Sequence, residues 1–289
     1  MRTRGSAPRY TRDKKSTRRS FLAVSAGALA ASRAAMPAIA DDPHDFKLGV
    51  ATYSLRKFSR AQAIVMLKQM NVKYINIKEF HLPVDSTPDE IKAGRKEFED
   101  AGFIIEGGGN VSFSKDDEQD IRHKFEYAKL AGMPIIVCAP THVTLPKMEK
   151  FVKEYDIKIA VHNHGPEDKQ FPTPQSVLDV VKNMDPRCGL CIDCGHTART
   201  GVDVVESIRE AGPRLLSMHI KDLADSKARD SQCDVGEGDL PIVGIFKQLH
   251  KMHYTGGVML EYEIHEDDPL MGMQKSLAYM RGVMAGLRG

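Results

Sequence analysis

From Phe46 onward, short apolar runs alternate with amphipathic segments eight times, a pattern that predicts parallel strands each followed by a helix. The predicted strands cover 46–52, 72–78, 103–108, 134–140, 157–163, 188–193, 215–221 and 256–262. Local chemistry marks the helices between them. Ser59 with Gln62, and Thr87 with Glu90, have capping-box spacing, and Pro88 occupies the first helical position of a segment that runs to about Ala101. Gly102, Gly132 and Gly212 each follow an alanine at a predicted helix end, where glycine readily takes the left-handed conformation. Further helices are predicted over 117–131, 146–155, after a cap at Thr173, over 203–211, 242–250 and 271–287. The third strand is expected to give way to a loop through Asn110, and a long polar loop spans 222–239. Eight such units in the 249 residues after Ala40 match the size of a (β/α)8 TIM barrel. A doubly wound sheet fits less well, because the glycines of GGGN at 107–110 do not open a helix.

Barrels of this kind carry their chemistry at the C-terminal ends of the strands. Alternation in CGLCID puts Cys191 and Asp193 on one face and Leu190 and Ile192 on the other, so a carboxylate ends the sixth strand facing inward. A buried Asp is costly unless it is paired or holds a metal. Other strand ends supply partners: His162 and His164, His219, and Glu261. Two imidazoles and two carboxylates drawn from four strands suit one divalent ion. Polar residues end other strands too: Lys78, Glu79 and His81 after the second, Glu106 after the third and His142 after the fourth. Each is a candidate substrate contact, with a solvated rim as the bland alternative; Glu79 beside His81 could act as a base outside the metal shell.

Charge and cysteine content narrow the field. Nine of the 41 Lys/Arg and one of the 39 Asp/Glu lie in 1–40, which leaves 32 basic and 38 acidic residues in 41–289. An acidic body offers no general attraction to phosphates, so nucleic acid is not an expected partner. The first forty residues look like an address: Arg18-Arg19 in STRRSFL, an Ala-rich apolar run, then Ala38-Ile39-Ala40 before Asp41. The paired arginines resemble a twin-arginine export signal. That resemblance implies transient contact with the export machinery, cleavage near Ala40, a periplasmic or otherwise exported product, and no stable membrane span afterwards. Cys188, Cys191 and Cys194 are three apart, which on a strand points neighbours to opposite faces; packed free thiols are expected rather than a structural zinc site.

The motifs IDCGH at 192–196, HIKD at 219–222 and LEYE at 260–263, with KEFHLP at 78–83 and HNHGPED at 162–168, resemble the sugar phosphate isomerase/epimerase superfamily, the xylose isomerase-like TIM barrels. The likeness covers essentially all of 46–287. In that family a divalent ion, commonly manganese, is held by a Glu, an Asp, a His and a Glu after strands five to eight. Asp193, His219 and Glu261 match the last three, whereas His162 stands at the position of the first Glu. Imidazole can ligate manganese, zinc, iron or cobalt, so the resemblance implies one bound divalent ion, with manganese the leading expectation.

The family's strand-five and strand-eight glutamates move protons on either side of a sugar carbon. Here Glu261 would keep that role, while the second role would pass to His164, His196 or Glu79. The resemblance also implies that His196 and Lys221 face sugar oxygens. The expected function is an isomerase, epimerase or keto-sugar lyase that removes a proton next to a carbonyl and stabilises the enediolate with its metal. Alternatives are an exported sugar-binding protein without turnover and a related abasic-site nuclease, which needs more ligands and a basic groove.

Overall fold

Eight parallel strands close on themselves in the computed structural model, which describes residues 46–288. They are β1 (Lys47–Ala51), β2 (Tyr74–Ile77), β3 (Ile104–Phe113), β4 (Ile135–Pro140), β5 (Lys158–His162), β6 (Cys188–Asp193), β7 (Leu215–Ile220) and β10 (Gly257–Leu260). Sequence neighbours pair around the barrel, and β1 meets β10 in register from Lys47↔Gly257 to Val50↔Leu260. The Ser54 hydroxyl tightens this seam, donating to Leu260 O (3.3 Å) and accepting from Tyr262 N (2.8 Å). The expected TIM barrel is thus the observed fold. The export-signal reading of 1–40 lies outside the described residues. Among the described residues, no helix is long and apolar enough to cross a membrane.

Helices α1 (Arg60–Gln69), α2 (Pro88–Asp100), α3 (Glu118–Leu130), α4 (Thr144–Tyr155) and α5 (Pro174–Val181) follow the first five strands. Both anticipated capping boxes form, and Thr173 makes a third with Ser176. After β6 come α6 (Cys194–Arg199) and α7 (Val204–Ala211); α8 (Ile242–Lys251) and α9 (Leu270–Leu287) complete the ring. The outward faces of the strands pack against these helices in one continuous apolar layer that includes Leu190 and Ile192, while Val137, Ala160 and Cys191 form a small inner cluster. Strand alternation therefore separates the outer core from an inner column that leads to the barrel mouth.

Three local expectations are corrected. Strand β3 does not stop at Gly108 but runs to Phe113, because its glycines let neighbouring backbone approach: a Cβ on Gly107 would lie 2.9 Å from Ile135 O, and one on Gly109 2.0 Å from Val137 O. Asn110, expected in a loop, is consequently a strand residue near the mouth. Helix α4 begins at Thr144 rather than at Pro146, with the Thr144 hydroxyl donating to Phe113 O (2.7 Å). The stretch 222–239 is less irregular than its composition suggests, because β8 (Asp222–Leu223) and β9 (Gln232–Cys233) form a small antiparallel pair.

Asp222 organises this loop. Its fully buried carboxylate accepts from Leu223 N (2.9 Å) and Leu240 N (3.1 Å) through Oδ1, and from Gly236 N (2.9 Å) and Gly238 N (3.2 Å) through Oδ2. The anchored loop presents Gln232, whose amide donates to Glu261 O (2.8 Å) and accepts from Glu263 N (2.8 Å). A buried aspartate thereby fixes the backbone that carries the eighth-strand carboxylates.

Candidate metal centre

Asp193 ends β6 and caps α6, so its two oxygens have different tasks. Oδ1 accepts the backbone N–H of His196 (2.7 Å), whereas Oδ2 turns inward, 3.7 Å from His162 Nε2 and 3.2 Å from Lys221 Nζ. His196 consequently sits in the first turn of a helix, not in an open turn. Asn163 braces the corner from β5, accepting from Asp193 N (3.1 Å) and donating to Thr197 Oγ1 (3.1 Å), whose own proton goes to Asp193 O (2.7 Å).

Across the mouth, His162 Nε2 is 3.0 Å from His219 Nδ1, and His219 Nδ1 is 3.2 Å from Glu261 Oε1. The donor atoms of His162, Asp193, His219 and Glu261 all fall within 4.8 Å of one another. The four residues singled out in the sequence therefore converge. Lys221 Nζ closes the cluster from one side, 2.9 Å from Glu261 Oε2 and 2.5 Å from Glu263 Oε2. Its approach depends on Gly195, since a Cβ there would stand 2.7 Å from Lys221 Cγ.

The residues fit a divalent cation on two grounds. First, His162 Nδ1, Asp193 Oδ2 and His219 Nε2 are buried without a hydrogen-bond partner; Lys221 lies within ion-pair distance of Asp193 Oδ2 but is not aligned to donate to it. Such atoms are rare unless they serve a function. Second, the cluster draws in positive charge. Burial opposes a charged His219, yet Cys191 and Glu261 raise its pKa well above the usual value, and Asp193, Glu261 and Glu263 do the same for Lys221 against its own burial. Glu261 is likewise held well below the normal carboxylate range, by Lys221 and then His219 against burial. Burial, followed by His164 and His219, keeps His162 well below its usual value, hence neutral with a lone pair to give.

The remaining candidates divide. His164 lies beside His162, with ring centroids 4.4 Å apart, and its two nitrogens face Asn110 Nδ2 (2.7 Å) and Asp168 Oδ2 (3.4 Å). The ring of His196 is 5.9 Å from that of His162, and Arg199 donates to its Nδ1 (3.3 Å), which leaves the ring proton on Nε2. Lys78 donates to Asn110 O (2.7 Å) and pairs with the exposed Glu79 at 3.4 Å, so both stand on the rim over β2 and β3. His142 is exposed on the connection after β4, its ring 4.6 Å from Phe171.

Two expected substrate contacts do not hold. Glu106 is the third residue of the lengthened β3, so it sits at the N-terminal end of the barrel, paired with Lys47 at 2.9 Å. His81 is buried and both ring nitrogens are engaged: Nε2 donates to Phe58 O (3.2 Å) and Nδ1 accepts from Thr52 (3.0 Å). It locks the β1 and β2 ends together. A His81→Leu substitution orphans two buried groups and is expected to cost about 2–4 kcal/mol in urea unfolding. Burial lowers the His81 pKa, so the unfolded chain binds more protons below its own value of about 6.5, and His81 weakens the fold as pH falls through that window. The variant should therefore show a shallower loss of stability from about pH 6.5 downward than the parent; an equal slope would count against this role.

Sequence reasoning missed Asn110, Asn163, Gln232 and Tyr53. Asn163 was visible in HNHG only as the last residue of a predicted strand; its partners lie at the end of the next strand and in the helix after it. Tyr53 packs 6.0 Å from Phe80, and burial first, then Glu263, raises its phenol pKa, which places it beside the carboxylates.

The family model for the xylose isomerase-like TIM barrel matches residues 66–283. The chain belongs to this family. Among curated relatives, an inosose dehydratase of Mesomycoplasma hyopneumoniae (strain 7448) is 24% identical over 161 residues, 49% of this chain and 53% of that one. The chain spans about half the length of the curated relatives it matches. A solved IOLI protein with a bound zinc atom shares the fold at a TM-score of 0.69 and 17% identity, covering 83% of this chain and 99% of that one. D-psicose 3-epimerase, solved in the presence of D-fructose, does so at 0.63 and 16%, with 83% and 99% covered.

Proposed function

We propose that this family member is a divalent-metal-dependent enzyme that removes a proton next to a carbonyl of a sugar or keto-sugar, and that elimination or isomerisation follows. The observation that carries this reading is the convergence of His162, Asp193, His219 and Glu261 at the barrel mouth, with buried donor atoms left unpaired. A divalent ion held there supplies Lewis-acid charge to neighbouring carbonyl and hydroxyl oxygens. Glu261 is ionised and so able to accept a proton, while the neutral ring of His196, 5.9 Å from that of His162, offers its Nε2 N–H as a hydrogen-bond donor to a substrate oxygen. Lys221 orients Glu261 and Glu263 and supplies a fixed positive charge toward substrate oxygens.

A carboxylate that takes a proton and an imidazole N–H that steadies charge on an oxygen make a non-equivalent pair, which suits elimination or isomerisation better than a near-symmetric epimerisation. The name of the inosose dehydratase relative supports elimination, and the fold shared with D-psicose 3-epimerase keeps epimerisation as the competing outcome. The paired arginines at 18–19 extend the proposal to an enzyme exported after folding. The test is incubation of metal-loaded protein in deuterated water with ketohexoses, 3-keto-glycosides and an inosose, followed by NMR. Deuterium beside the carbonyl with loss of water or alcohol, or with carbonyl migration, is expected. Clean interconversion of two ketose epimers would refute the preference for a lopsided reaction. Binding without exchange in any sugar would make the protein a binder.

A further inference from the structure

Below the carboxylates, β6 turns a thiol toward the same two imidazoles. Cys191 precedes Asp193 by two residues on the inward face, stands level with His162 across the β5–β6 pair, and is fully buried beside Val137 and Ala160. Its sulfur and one nitrogen each from His162 and His219 lie within 4.8 Å of one another. Those two imidazoles own the unpartnered buried nitrogens His162 Nδ1 and His219 Nε2. Cys188 and Cys194 face the outer core instead and share none of this.

Resting on the metal-centre reading above, we propose that Cys191 is an additional donor to that centre, bound as thiolate, and that it makes the site one for zinc, iron(II) or cobalt(II) rather than manganese. The two imidazoles are common to the set that includes Asp193 and Glu261 and to the set that includes Cys191, so an ion held between them would have carboxylate donors on one side and the thiol on the other. The S–H bond breaks as the metal–sulfur bond forms, and the proton leaves to water. Charge then balances: a thiolate with Asp193 and Glu261 offsets the ion together with Lys221, all four groups being buried. Thiolate is a soft ligand and imidazole a borderline one, a combination that disfavours manganese among the first-row ions.

X-ray absorption of the zinc-loaded full chain tests this, with a sulfur shell expected at about 2.3 Å beside nitrogen and oxygen at about 2.0–2.1 Å. Cobalt(II)-loaded protein should show a sulfur-to-metal charge-transfer band in the near ultraviolet that Cys191→Ser abolishes and Cys188→Ser leaves intact. The zinc-over-manganese preference should fall ~10-fold or more in Cys191→Ser. Bound zinc with only nitrogen and oxygen neighbours would overturn the proposal and leave the metal centre standing. Absence of stoichiometric metal in the unaltered chain would overturn both.

Discussion

Asp193→Asn and His219→Ala proteins are expected to purify as folded barrels that retain essentially no divalent metal after dialysis. Each substitution removes a donor from a set whose atoms lie within 4.8 Å of one another, so the ion is left with an incomplete shell. Changes in residues that merely support ligands already cost 10–100-fold in affinity by general experience, and losing a ligand outright should cost at least about 100-fold. Asn is chosen at 193 because it keeps the Oδ1 acceptor for His196 N–H and hence the α6 cap, while removing the charge. Folding should survive, since the apolar layer between strands and helices does not include either residue. Elemental analysis of the dialysed proteins, beside circular dichroism melts, checks both halves. Full occupancy in both variants would mean that the ion resides elsewhere.

The second large effect is expected at Asp222, far less conspicuous in sequence. Asp222→Ala strips four backbone N–H groups of one buried, charged acceptor. Hydrogen bonds to charged groups are worth roughly 1.5–3 kcal/mol each but do not add fully, so a loss on the order of 3–5 kcal/mol is expected in urea denaturation. Hydrogen exchange should accelerate at Gly236, Gly238 and Leu240. Because the same loop carries Gln232, which holds the backbone of Glu261 and Glu263, metal affinity should drop as well. A variant within about 1 kcal/mol of the parent, with unchanged exchange, would remove Asp222 from this role.

The barrel was legible in the chain because its signals are local. Alternation sets which residues face inward, and capping boxes at Ser59 and Thr87 bond within one turn; both survive any tertiary arrangement. The convergence of the four candidate donors was legible for the same reason, each lying at or just past the C-terminal end of a strand. What failed depended on neighbours. Glycines 107–109 look like a strand's end when read alone, but in the barrel they admit β4 backbone, and the strand they lengthen leaves Glu106 near its start, at the wrong end. His81 stands at a strand end like the candidate donors, yet its partners Thr52 and Phe58 belong to another unit and no spacing rule reveals them. Tyr53, Asn110 and Gln232 owe their places to the same non-local geometry.

The seam between β1 and β10 makes the site a late event in the life of the chain. Ser54 and Tyr262 are separated by 208 positions in sequence, so the closing seam is a long-range contact, and the first strand keeps an open edge until the last has been made. At about 5–20 residues per second, a ribosome needs roughly 10–40 s to deliver the second partner after the first. Within that interval His162, Asp193 and His219 are made in turn, and Glu261 comes last, one residue before Tyr262. On the metal-centre reading, the final candidate ligand and the closing hydrogen bonds arrive together, so full metal affinity is expected only of the finished, closed chain.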